Sequence, residues 1–177
     1  MENIRIEVVV GSWLAYNEAN ERAFGSNWLN LEDFETLEDL IEELKNEGFT
    51  DEELEETFIQ DIDCEIVFEN CDYISVERLR EIWEILNSVS DSDLVIALSE
   101  IFTLSELLNI IENESIEDYY LSGSETASDY AEEIVEDCYN LDNMGNLKYY
   151  IDYEAIGHDM MINGEIYETS KGVVVHA

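Results

Sequence analysis

The chain has 177 residues, 46% of them hydrophobic, which is enough for real cores and too many for a disordered acidic tail. Its 45 Asp and Glu face only 7 Lys and Arg, a formal net charge of −38 at pH 7. That balance excludes direct binding to nucleic acid or to an anionic membrane surface, because both need a cationic face.

The first element expected is a strand in Ile4 to Val10 (IRIEVVV), broken by Gly11-Ser12. Trp13 to Asn30 reads as loop, with a short strand possible at Trp28 to Leu31. Leu31 to Leu44 spaces Phe34, Leu37, Leu40, Ile41 and Leu44 at helical intervals, and Gly48 stops it. Thr50-Asp51-Glu52-Glu53 has capping-box form and predicts a second helix with Leu54 and Phe58 inward. Cys64 to Phe68 reads as a strand. Three amphipathic helices follow, Ser75 to Leu86, Asp91 to Phe102 and Leu104 to Ile111, close enough to suggest a small bundle. Ile116 to Leu121 reads as a strand, Ser124 opens a helix facing Tyr130, Ile134 and Cys138 inward, and Asn146 to Ile156 reads as helical. The chain closes on a hairpin turned at Ser170-Lys171-Gly172. The fold class expected is α+β: an elongated row of three subdomains at 1–70 (α+β), 71–113 (helical) and 114–177 (α+β).

Cys64, Cys71 and Cys138 are odd in number and widely spaced, so they read as free thiols of a reducing compartment. Met1-Glu2-Asn3 lacks a basic leader start and no apolar run approaches a membrane span, so a cytoplasmic location is expected.

Chemistry has few carriers. His158-Asp159 is a lone pair of candidate ligands, and the other histidine, His176, sits in the terminal hairpin. Ser90-Asp91-Ser92-Asp93 alternates oxygens but lacks the central Gly of a calcium loop, and Asp61-Ile62-Asp63 runs into a strand. Glu43-Leu44-Lys45 has nuclease-like spacing, but on a helix residues two apart diverge. No catalytic, cofactor or metal site is therefore expected.

The acids themselves remain. A halophile would also be acidic, yet Trp13, Trp28 and Trp83 stand with ten Tyr and six Phe here, and large aromatics are not what that habit favours. Helices usually interleave Lys with Glu at i,i+4, and Leu31 to Leu44 wholly forgoes this. A field used for binding explains the pattern better. Duplex DNA carries one charge per ~1.7 Å, so −38 matches roughly 65 Å, about 19 base pairs.

Tyr150-Ile151-Asp152-Tyr153-Glu154-Ala155-Ile156-Gly157-His158-Asp159, followed by Met160, resembles the YIDYxAxGRDL stretch of the ArdA antirestriction proteins, with His158 where arginine is common and Met160 where leucine is common. Tyr150, Asp152, Tyr153, Gly157 and Asp159 carry that match. Leu79 and Trp83, Phe102 to Leu107, Tyr16-Asn17 and Trp28-Leu29 resemble further family segments. Asn17 to Asn27 looks like an insert, and Gln60-Asp61 matches weakly.

The resemblance implies a non-enzymatic, cofactor-free homodimer that works in the cytoplasm of a bacterial host cell and mimics bent duplex DNA. It would occupy the DNA groove of a type I restriction-modification enzyme, formed by its recognition and methyltransferase subunits. Another DNA-binding defence complex, such as a CRISPR effector, is the alternative target. The acids expected to replace phosphates are Glu32, Asp33, Glu35, Glu38, Asp39, Glu42, Glu43, Glu52, Glu53, Glu55, Glu56, Asp61 and Asp63 in the first part of the chain. Glu112, Glu114, Glu117, Asp118, Glu125, Asp129, Glu132, Glu133, Glu136, Asp137, Asp152, Glu154 and Asp159 complete the set.

Overall fold

A computed structural model describes residues 3–18, 24–49, 57–68, 74–113 and 115–177. The helix expected from Thr50 lies outside the described residues, as do Glu52, Glu53, Glu55, Glu56, Glu114 and Cys71. The described chain is mixed α+β, with two small antiparallel sheets. It divides into two compact units, Met1–Ser92 and Asp93–Ala177.

In the first unit β1 (Glu7–Ser12) is the middle strand, between β2 (Leu29–Asn30) and β3 (Thr57–Asp63). A middle strand with both faces covered reads as a continuous apolar run, and Val8, Val9 and Val10 are all buried. The ladder pairs Glu7 with Asp63 and Ser12 with Thr57, and its register shifts between Val9 and Val10. Two expectations are corrected. Cys64 to Phe68 is not a strand: the chain pairs earlier, at Thr57–Asp63, so Phe58 stands in a strand and not on a helix. Trp13 to Glu18 is a short helix, α1, rather than loop. The Phe58 ring explains part of this join. It covers Gly11, where a Cβ would fall 2.4 Å from the ring, and it meets Trp13 at 4.3 Å between centroids.

Helix α2 (Leu37–Glu47) buries Leu40 and Leu44 and ends on Gly48 in the left-handed region, φ 79°. The expected start at Leu31 is instead a single 3-10 turn, Leu31–Asp33. Thr36 supplies the break, because its extended backbone and its hydroxyl cap α2. Helix α3 (Val76–Leu86) opens on Ser75 and clamps this region. Its Arg80 is buried and donates to the carbonyls of Leu31 (2.7 Å), Phe34 (2.8 Å) and Glu35 (3.2 Å), while Nε meets Glu84 at 3.0 Å. Trp83 lies under the guanidinium at 4.4 Å and donates its indole N–H to the Ile4 carbonyl. Asn87 pairs with both backbone groups of Ile4, as a strand neighbour would.

In the second unit α4 (Ser92–Ile101) is buried from Leu94 through Leu98, and α5 (Leu104–Glu112) buries Leu107, Leu108 and Ile111. The sheet has β6 (Gly172–His176) between β4 (Tyr119–Leu121) and β5 (Ile166–Thr169), with Val173, Val174 and Val175 buried. The terminal hairpin is as expected, and the strand expected over Ile116 to Leu121 is shortened by a 3-10 turn at Ser115–Asp118. Helix α6 (Ala127–Cys138) lays Ala127 and Tyr130 on Ile166, Val173 and Val175, with Met160 and Met161 closing the core. Asn146 to Ile156 is not one helix. Leu141–Tyr150 is 3-10, interrupted at Gly145 (φ 57°, ψ −129°), and α7 runs Tyr153–Ile162.

Gly157 lets α7 approach α6: a Cβ there would stand 2.5 Å from the Ala127 carbonyl oxygen. Gly157→Ala must push two helices apart and should cost about 2 kcal/mol. Arg80→Met leaves the Leu31, Phe34 and Glu35 carbonyls without their donor and should cost about 3 kcal/mol. Urea unfolding checks both, and a loss near zero for either would contradict the packing described.

A candidate acidic recognition surface

The acids sit where each element meets solvent. Glu38, Asp39 and Glu42 lie on the outer face of α2, and Glu32, Asp33 and Glu35 on the turn that Arg80 holds. Asp61 and Asp63 are exposed on β3, Glu112 ends α5, and Glu117, Asp118 and Glu125 follow in the second unit. Helix α6 carries Asp129, Glu132, Glu133, Glu136 and Asp137, and Asp152, Glu154 and Asp159 are exposed at α7. Among the described candidates all are exposed except Glu43, which is half-buried.

Several of these carboxylates already accept structural hydrogen bonds. Asp39 takes the Thr36 N–H (3.0 Å) and hydroxyl (2.8 Å), and Asp129 takes those of Thr126 (3.1 and 2.7 Å). Asp152 accepts from the Ala155 N–H at 3.0 Å, Glu32 from the Asn3 amide at 2.8 Å, Glu133 from the Ser124 hydroxyl at 3.0 Å, and Asp61 from the Ile62 N–H at 3.0 Å. Others outside the expected set do the same. Glu106 caps α5 through Thr103, Glu168 accepts the Ala127 N–H at 2.6 Å, and Glu100 receives the Ser170 N–H and hydroxyl. Thr36-Leu-Glu-Asp, Thr103-Leu-Ser-Glu and Thr126-Ala-Ser-Asp could have marked three of these in sequence. Glu168 reaches across 41 residues and left no local signal.

The cations are mostly spent at home. Arg5 pairs with Glu7, Arg78 with Glu81 (2.9 Å), Arg80 with Glu84 (3.0 Å), Lys171 with Asp93 (3.1 Å) and Lys148, loosely, with Asp142 (3.9 Å). Lys45 stands in the last turn of α2. The acids outnumber these partners many times over, so the outer field stays negative.

The histidines do not converge. His158 is exposed, beside Asp152, Glu154 and Glu168 on an open cleft of about 540 Å³. His176 stacks on Tyr119 at 4.6 Å and 7°. Among the described residues no three His, Cys, Asp or Glu stand as a metal-holding group. In the Glu43-Leu44-Lys45 triplet Leu44 points into the core. Cys64 and Cys138 are free thiols, and burial, then Glu65 and Asp63, push the Cys64 thiol up, which disfavours its nucleophilic form. The family-like segment is not uniformly packed: Tyr153 is half-buried, but Tyr150 is 82% exposed, so packing of all its aromatics is not observed. Among the described residues no helix is long and apolar enough to cross a membrane.

Fold and surface together define a polyanionic α+β protein. The antirestriction protein family ArdA matches residues 8–175, nearly the whole chain, and the chain belongs to that family. No curated protein matches it.

The Glu106 carboxyl is held below its usual range, first by the Thr103 N–H and then by the Thr103 hydroxyl. Its folded value lies below the unfolded one, near ~4.3, so its stabilisation is present at neutral pH and disappears as pH falls through the folded value. Glu106→Gln should therefore melt below the wild type at pH 7, with the gap closing as pH drops below about 4. Melting curves across pH check this, and a gap that does not change with pH would oppose it.

Proposed function

We propose that the chain is a non-enzymatic mimic of duplex DNA. It occupies the DNA-binding groove of a type I restriction-modification enzyme, at the recognition and methyltransferase subunits, and blocks restriction. The observation that carries this reading is the surface: exposed carboxylates on helix, strand and turn in both units, with the described cations largely paired within the chain. Membership of an antirestriction family supports the choice of target.

In this reading the carboxylates stand where phosphates stand. A groove built from Lys and Arg exchanges its counterions for them, and the entropy of the released ions drives binding. Many weak contacts share the energy, so the complex is strongly salt-dependent and no single acid dominates it. The chain acts as a homodimer, which doubles the charge presented. It holds no nucleic acid itself and needs no cofactor.

Competition between the protein and duplex for a type I enzyme tests this. Excess protein should displace the duplex at low salt and lose that ability steeply as salt rises. An enzyme–DNA complex left intact at low salt would end the proposal. Glu38→Gln and Glu42→Gln, on the outer face of α2, should each weaken inhibition by no more than about threefold, as one phosphate contact among many does. Abolition by either one, in a folded protein, would point to a localised site instead.

A further inference from the structure

One cleft in the second unit has chemistry that a uniform charge field does not require. It is open, with a volume of about 570 Å³, and lies between the C-terminal half of α6 and the turn that leads into α7. Glu132 and Glu136, one helical turn apart, stand on its wall with Tyr139, Tyr149 and Tyr153. Tyr139 and Tyr149 are 65% and 76% exposed, an arrangement no core packing explains. Helix α6 ends here with no basic residue in its last turn, so its carbonyl end adds negative potential to that of Glu136. The Tyr153 phenol is pushed up, first by desolvation and then by Glu132 and Glu136, as expected if both carboxylates face that ring.

The chain's own cation shows what the cleft accepts. Lys148 lines it, with its ammonium 5.5 Å from the centre of the Tyr149 ring, within cation–π reach. It meets the Asp142 carboxylate only at 3.9 Å, so that pair holds it loosely. A guanidinium suits such a place better than an ammonium. It is planar, stacks on aromatic faces, binds a carboxylate with two parallel N–H groups, and gives up water more readily.

We propose that this cleft is an arginine-binding pocket: an arginine side chain of the basic partner displaces Lys148, stacks on Tyr139 and Tyr149, and pairs with Glu132 and Glu136. The inference deepens the DNA-mimic reading and rests on it for the source of the arginine. It adds a localised, shape-dependent anchor to a surface that otherwise works by summed charge.

The test uses the full chain and the blocked peptide acetyl-Gly-Arg-Gly-amide, followed by NMR of the tyrosine rings at fixed ionic strength. The Tyr139, Tyr149 and Tyr153 signals should shift and saturate, and the lysine peptide should bind several-fold more weakly. Tyr139→Leu combined with Tyr149→Leu leaves the net charge unchanged and should weaken the arginine peptide by at least about fivefold. Lys148→Gln should tighten it by about threefold, whereas Lys45→Gln, an equal charge change in the other unit, should not. The double tyrosine variant should also inhibit the restriction enzyme at least about fivefold less well.

Peptide binding untouched by the tyrosine changes, or equal responses to the two lysine changes, overturns the pocket. So do rings that never shift because a second copy covers them. Peptide binding lost with inhibition fully retained overturns the partner assignment. If the wild type fails to displace duplex at all, the mimic reading falls, and with it the assignment of the arginine to that groove. The peptide titration still decides whether the cleft binds a guanidinium.

Discussion

Charge repulsion without counter-cations is the condition every element of this protein has to meet. With 45 acids and 7 basic residues, ion pairing cannot satisfy more than a small part of the carboxylates. Backbone N–H groups take over where they are free, at helix starts. Asp39, Glu106 and Asp129 each accept from a threonine N–H and hydroxyl at a helix N-terminus, and Asp152 and Glu168 accept from first-turn N–H groups of α7 and α6. The N-terminal dipole favours negative charge in these places, and the first-turn donors have no partner within the helix. Acid excess thus becomes local stability at the helix starts, while like-charged neighbours such as Glu132 and Glu136 cost a few tenths of a kcal/mol per pair along the helix.

Arg80 shows the complementary solution. A buried cation is expensive unless its hydrogen bonds are met, and here three carbonyls and Glu84 meet them. Those carbonyls belong to the stretch that presents Glu32, Asp33 and Glu35 to solvent. One buried guanidinium therefore fixes the backbone under a group of exposed carboxylates. The turn itself is too short to bury more than Leu31, so this clamp from α3 matters to it.

The sequence made helices legible where periodicity and caps agreed, as in α2, α3, α5 and α6. It failed where polar strands and apolar loops compete. Thr57–Asp63 is half-exposed and carries two outward aspartates, so it lacked the β-branched run that favoured Cys64 to Phe68, whose Ile66 is buried without strand pairing. The helix expected over Asn146 to Ile156 breaks at Ile151-Asp152, where extended backbone ends the 3-10 stretch and the Asp152 carboxylate caps α7. The acidic character of the surface was fully legible, since composition alone dictates it. Which acids are tied was legible only in part: the spacing from Thr36 to Asp39 marks a cap, but Glu168 reaches the Ala127 N–H across 41 residues with no local signal. The grouping of Tyr139 and Tyr149 with Glu132 across the cleft was not legible either, because it depends on the turn geometry between α6 and α7.

Helix direction adds a term that residue counting overlooks. Of the α-helices with both ends described, only α2 carries a basic residue, Lys45, in its last turn; α3 to α7 have none, although the 3-10 stretch Leu141–Tyr150 ends near Lys148. The usual Lys or Arg at a helix C-terminus would offset about half an elementary charge of dipole there. Leaving it out keeps that negative end exposed, while the acids at the N-termini cover the positive one. Both ends of these helices thus present negative potential outward. The dipoles add no net charge, but they put negative potential at C-terminal ends such as that of α6, where carboxylates and exposed tyrosines already face a common cleft.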